Sequence, residues 1–215
     1  MTAPVPDTAA TLDSGLRPRR AAGQDLPLLV ETMVAAFVDD PVMTWVIPDG
    51  LRRPQILRAF FEIAVDVNQP YGELYTTDPV PVAGAVWVPP GCQPTGEHAE
   101  QLAACYIEAA GEEFADRTVA ILERMDECHP QEAHDYLFLL GTRAEWQGRG
   151  LGSALLREVL ERCDREGRPA YLEASSEGNR RLYLRHGFEV VWEICLPDGP
   201  SMWPMWREPV HRGQR

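Results

Sequence analysis

Lysine is missing from this sequence altogether: all 20 of its basic residues are arginines. Every chemistry that rests on a lysine amine is thereby excluded, whether a Schiff base, a lysine general base or the lysine of a phosphate-loop nucleotidase. Positive charge as a whole is also scarce. The 33 acidic residues leave a formal net charge of −13, which repels phosphate backbones and anionic headgroups, so neither nucleic acid nor a membrane surface is an expected partner. A cationic or amine substrate suits that balance better. Paired cysteines are lacking too: Cys92, Cys105, Cys128, Cys163 and Cys195 are odd in number and widely spaced, with no CxxC pair and no Cys/His ligand grouping. They read as reduced cytoplasmic thiols, and no metal is expected. No apolar run approaches the roughly eighteen residues of a membrane span, and the start of the chain has neither the basic residues nor the apolar core of a signal peptide. What is present is 215 residues, 45% of them apolar, enough for one domain with a substantial core.

Residues 1–14 are small, Pro-rich and without apolar periodicity, and are expected to form a disordered leader before a single domain over 15–208 and a flexible tail over 209–215. Leu28, Leu29, Thr32, Met33, Ala36 and Phe37 stand at helical spacing within 24–38, and the Asp-Asp-Pro at 39–41 is expected to stop that helix. A second helix is predicted at about 52–67 on the stripe Ile56, Leu57, Phe60, Phe61, Ala64 and Val67. The runs 71–76 and 81–88 read as adjacent strands, 97–128 returns to helical spacing, and the almost unbroken apolar run 136–142 predicts a strand buried on both faces.

That strand leads into the most informative segment, Gln147–Ser153, with the sequence QGRGLGS. It precedes an amphipathic helix with Leu156, Val159, Leu160 and Cys163 on its inner stripe. Alternating glycines at a helix start let a large anion approach the backbone, where the N–H groups of the first turn are free to meet it. Arg149 adds a full positive charge. The order of strand, glycine loop and helix favours a diphosphate site over a glycine-rich turn without ligand. A dinucleotide fold is one candidate, with Glu173 near the distance of its ribose-binding acid, but its third glycine falls on Ser153 and too little chain remains for repeated βα units. Coenzyme A is the better fit.

QGRGLG matches the Q/RxxGxG/A acyl-CoA signature and resembles the GNAT superfamily of N-acetyltransferases, as does the order of elements from about 15 to 208. PAYLEASSEGNRRLYLRHGF at 169–188 looks like that family's next strand and helix, and the segment from His129 to Arg207 is similar to its puromycin N-acetyltransferase branch. The resemblance implies an α/β fold, a mixed central sheet of about six to seven strands splayed at the cofactor strands 136–142 and 169–175 and flanked by helices. It implies acetyl-CoA as donor. Backbone of Leu140, Gly141 and Thr142 would then hold pantetheine, while Gln147, Gly148, Arg149, Gly150, Leu151, Gly152 and Ser153 hold the diphosphate, with Asn179 and Tyr183 facing the cofactor. Thr142 and Ala144 stand where the family often has Val and Pro.

Acetyl transfer needs an acid for the leaving sulfur and a base for the amine. Tyr183 is the candidate acid. Asn179, one helical turn earlier, is expected to touch cofactor or to cap its helix. Glu173 interrupts the apolar strand AYLEA and is either a base, a substrate carboxylate or a structural ion-pair partner. His134 is a second candidate base by its intrinsic pKa, with His129 behind it. The resemblance places the acceptor pocket among the first two helices and the last hairpin, where Phe37, Asp39, Asp40, Trp45, Trp192, Trp203 and Trp206 stand; Phe37, Asp40, Trp45, Glu173 and Trp203 are the substrate-binding candidates. Aromatic walls suit a ring-bearing small-molecule amine, antibiotic-like or otherwise xenobiotic. The alternatives are a protein amine as acceptor, or an acyl-CoA sensor without turnover. No cysteine relay is expected, and a homodimer is left open.

Overall fold

A computed structural model describes residues 15–92, 107 and 111–210. The expected leader, most of 93–110 with the first part of the helix read from 97, and 211–215 lie outside the described residues. In chain order the elements are β1 (Arg17–Arg20), α1 (Leu26–Phe37), α2 (Pro41–Val46), α3 (Arg53–Asn68), β2 (Leu74–Asp78), β3 (Ala83–Val88), α4 (Glu112–Cys128) and β4 (Asp135–Thr142). There follow α5 (Leu151–Glu166), β5 (Ala170–Ala174), α6 (Glu177–Arg185), β6 (Glu189–Val190), β7 (Ile194–Cys195) and β8 (Ser201–Arg207).

The strands form one sheet in the order β1-β2-β3-β4-β5-β8-β6, with β7 on another stretch of β8. Among the described residues it has 8 strands, more than the six to seven expected. β1 reads RPRR, with no apolar alternation to mark it, and β6 and β7 are 2 residues each, too short for a periodic signal. One helix was also unexpected. Asp-Asp-Pro does end α1, but Asp40 simultaneously opens α2: its Oδ1 accepts from the N–H groups of Val42 (2.9 Å) and Met43 (3.2 Å), and Pro41 takes the first helical position.

Two helical layers enclose the sheet. On one face α1 and α3 bury Leu29, Met33, Ile56, Leu57 and Phe61 against it. On the other, the predicted stripe of α5 is buried as read, with Leu156, Val159, Leu160 and Cys163 packed on Ala170 and Leu172 of β5. Each fully buried leucine of this kind contributes about 2 kcal/mol of hydrophobic stabilisation.

The decisive irregularity lies in β4. Trp87 of β3 stands opposite Leu137 and Val86 opposite Leu139, so Phe138 is an extra residue. Such a bulge bends a strand and increases its twist. β4 and β5 are the parallel neighbours of the sheet, and they pair only at Asp135↔Ala170 and Tyr136↔Tyr171. Beyond the bulge, β4 continues to Thr142 and β5 to Ala174 without pairing to each other. The joined end is tied by charge: Asp135, with a side chain 0% exposed, accepts from Arg162 (2.9 Å) and Arg168 (2.8 Å), and Arg162 also reaches Glu73 (2.7 Å). Removing one partner from such a buried network is strongly destabilising, because it strands the others. The strands are therefore clamped together at one end and parted at the other.

Candidate active site

A cleft of ≈ 780 Å³ fills the gap between the parted strands. Leu140, Gly141 and Thr142 of β4 form one wall, the loop from Gln147 to Ser153 a second, and Gly178, Asn179, Leu182 and Arg185 of α6 a third; Ala36, Phe37 and Asp40 close it from the end of α1. Each predicted cofactor residue except Tyr183 lines this space.

The loop is shaped by its glycines. Gly148 and Gly150 have φ of 75° and 79°, left-handed backbone that a side chain makes costly. Gly150 is the N-cap of α5 and offers no side-chain cap. The first intrahelical bond runs from the Ala154 N–H to the Gly150 carbonyl, so the N–H groups of Leu151, Gly152 and Ser153 have no acceptor within the helix. They join the positive end of the helix dipole. Arg149 is pre-placed by its Nη2 donating to the Glu145 carbonyl (3.3 Å) and by lying 4.7 Å from the centre of the Trp146 ring. Gln147 lines the cleft while its amide donates to the Thr142 carbonyl (3.1 Å) and braces loop against strand. Ser153 Oγ lies 2.9 Å from Nε2 of His186, a ring that burial, with nearby arginines, pushes down to about pKa 4. His186 is therefore neutral at physiological pH. Arg185 was not foreseen, since nothing in its spacing distinguishes it from other helix-surface arginines.

These residues fit coenzyme A. The free N–H groups and two arginines suit its diphosphate, and the β4 backbone left unpaired on the β5 side can meet an extended pantetheine arm.

The other end of the cleft is acidic. Asp40 is 9% exposed; besides capping α2, it accepts at Oδ2 from Ser175 Oγ (2.6 Å). Ser175 Oγ in turn accepts from the amide of Asn179 (3.3 Å). Asn179 does not cap α6, because Ser176 does, accepting the Asn179 N–H at 3.2 Å. Burial holds the Asp40 carboxyl above the usual carboxylate range, though its hydrogen bonds oppose the shift. Tyr183 lies just behind this wall, 5% exposed, with its ring 6.0 Å from that of Phe188. Burial and the charge of Asp40 raise its phenol.

Four predicted residues fall elsewhere. Glu173 points to the opposite side of the sheet from α5, into an aromatic cluster. Its Oε2 accepts from Tyr136 OH (2.8 Å), while Oε1 and the Tyr171 hydroxyl are buried without a hydrogen-bond partner. Burial pushes Glu173 up to about 7. His134 belongs to the same cluster, its ring centre 5.4 Å from Tyr171 and 5.5 Å from Trp206. Its Nδ1 is 2.6 Å from the Glu132 carbonyl, which can only accept, so that nitrogen carries the proton. Trp45 is wedged between Arg117, 5.0 Å above its ring, and the turn at Gly199, where a Cβ would come within 2.5 Å of the indole nitrogen. Trp203 is a core residue on the α5 side, with Arg180 4.7 Å over its ring. None of these four lines the cleft, and none of the described cysteines does either.

The comparisons agree with this geometry. A family model described as an acetyltransferase (GNAT) domain matches residues 102–190, which include β4, the glycine loop and α6. An uncharacterized N-acetyltransferase of Schizosaccharomyces pombe is 26% identical over 206 residues, spanning 89% of this chain and 83% of its own. A crystal structure from Corynebacterium glutamicum, described as histone acetyltransferase HPA2 and related acetyltransferase, superposes with a TM-score of 0.68 at 27% identity, over 93% of this chain and 99% of that one. Arylalkylamine N-acetyltransferase 2 of Aedes aegypti shares the fold, with a TM-score of 0.61 at 12% identity over 91% of this chain and 99% of its own.

Proposed function

This chain carries a GNAT acetyltransferase domain and is an acyltransferase, and from that premise we propose that it moves acetyl from acetyl-CoA to the primary amine of a small molecule in the cytoplasm, by direct attack in a ternary complex. The observation that carries the reading is the cleft itself, with an anion cradle at the α5 end and a carboxylate at the other. An antibiotic-like or other xenobiotic amine is the acceptor class, because Phe37 offers an aromatic wall beside Asp40 and the net charge of −13 favours a cation.

When bound, acetyl-CoA would supply an acetyl thioester as the group passed to the amine, with the thiol as the leaving group. The N–H groups of Leu151, Gly152 and Ser153, with Arg149 and Arg185, would hold the diphosphate. Backbone of Leu140, Gly141 and Thr142 orients the pantetheine arm. Tyr183, a phenol kept protonated by its burial, donates to the departing sulfur.

The test is thermal unfolding with acetyl-CoA beside NAD, NADP and ATP. A ligand bound only by the folded state at a hundred times its Kd adds about 2.7 kcal/mol. Acetyl-CoA is expected to stabilise selectively, and thiol release is then expected with a primary amine in a screen that begins with puromycin. A response to a dinucleotide alone would overturn the reading.

A further inference from the structure

Two acidic side chains stand close to the parted strands, and the sequence offers Glu173 as a candidate base. Their positions favour the other. Among the described residues that line the cleft, Asp40 is the sole carboxylate, whereas Glu173 does not line it and its carboxylate turns to Tyr136. Resting on the acetyltransferase reading, we propose that Asp40 binds the acceptor ammonium and takes its proton, and that Ser175, itself held by Asn179, sets how readily it does so.

The hydrogen-bond pattern leaves room for this. Oδ1 of Asp40 is committed to the α2 cap, while Oδ2 accepts one bond, from Ser175, and retains a second lone pair. The cap fixes the carboxylate's orientation before any ligand arrives. Phe37, from the last turn of α1, supplies the apolar surface beside it, so the matching acceptor is a primary ammonium carried close to a ring. The chain Asn179 to Ser175 to Asp40 also joins the helix that faces the cofactor to the group that meets the amine. The charged and titratable neighbours are few. Tyr183 of α6 feels the charge of Asp40, Asp39 is its chain neighbour, and Arg53 of α3 donates to the carbonyl of Val38 (2.9 Å). Arg149 and Arg185 line the cleft at its diphosphate end.

Two protons leave the ammonium during transfer. The first passes to Asp40, which returns it to solvent. The second leaves nitrogen as the C–N bond forms and replaces, through solvent, the proton that Tyr183 gives to sulfur. Amide, thiol and one released proton close the balance.

The experiment is kcat/KM for 2-phenylethylamine against pH in wild type, Asp40→Asn, Ser175→Ala and Glu173→Gln, with acetyl-CoA binding followed in each by thermal shift. Asp40→Asn keeps the Oδ1 cap. It is expected to lower kcat/KM about 100-fold and to abolish the acidic limb of the profile, with acetyl-CoA stabilisation intact. Ser175→Ala removes a hydrogen bond to the charged form and is expected to move that limb to higher pH. A merely structural role would lower rates without moving the limb. An unchanged limb in Asp40→Asn, or a limb lost in Glu173→Gln alone, overturns the assignment. Absence of acetyl-CoA stabilisation and thiol release in the wild type would overturn the transferase reading first, and the assignment with it.

Discussion

Asp40 and Glu173 are both carboxylates withdrawn from solvent, on the same side of the fold, and their surroundings set them apart. Asp40 has donors on both oxygens and a face on the cleft. Glu173 has one phenol donor, an unpartnered oxygen and a wall of rings, among them Tyr136, Tyr171, His129 and His134. A carboxyl pushed toward neutrality is a common mark of a catalytic group, and here that mark is stronger on the residue that does not line the cleft. Geometry has to be read before pKa: a proton acceptor must reach the proton.

Three substitutions sharpen that contrast. The largest effect is expected from Tyr183→Phe, which leaves the core packing of the ring but removes the acid. Thiol release should fall about 10²–10⁴-fold while thermal stabilisation by acetyl-CoA persists; unchanged turnover would remove Tyr183 from the chemistry. Next is Glu173→Gln, whose effect is expected on stability. A carboxyl whose folded pKa of about 7 exceeds its ordinary value of 4.5 withdraws stability as pH rises through that window. The amount is about 3 kcal/mol. Urea unfolding at pH 5 and pH 8 should show the wild type losing more stability than the variant, and equal losses would place Glu173 in contact with solvent. The smallest of the three is Arg149→Ala. Its guanidinium is held ready by Trp146 and the Glu145 carbonyl, so acetyl-CoA binding measured by calorimetry should weaken about tenfold, and less at high salt.

Much of this was readable along the chain, for reasons that differ from element to element. The strand 136–142 announced itself by its apolar run, although only its first part is buried on both faces: Phe138, Leu140 and Thr142 are half-buried where the strand borders the gap. QGRGLGS was readable because the left-handed backbone at Gly148 and Gly150 excludes most side chains. The stripe of α5 followed from helical period alone. By contrast, Asp-Asp-Pro carried two signals in three residues, the end of α1 and the start of α2, and a reading by punctuation finds only the first. Trp203 and Trp45 were candidates for an acceptor wall because aromatic residues serve cores and ligand sites equally well. Arg185 had no signal at all.

Local chain order was sufficient for the fold and for the place of the glycine loop, because strand, glycine turn and helix start are contiguous and their geometry is mostly backbone geometry. Which carboxylate meets the cleft was settled by packing. Asp40 lies 135 residues from Ser175 in the chain, and the two meet beside the gap left where β4 is bent by one extra residue at Phe138 while Asp135 and its arginines clamp the strands at their base. Glu173 interrupts its strand in a way that the sequence displays openly, yet the rings that enclose it come from α4–β4, β5 and β8. Only the assembled sheet brings them together.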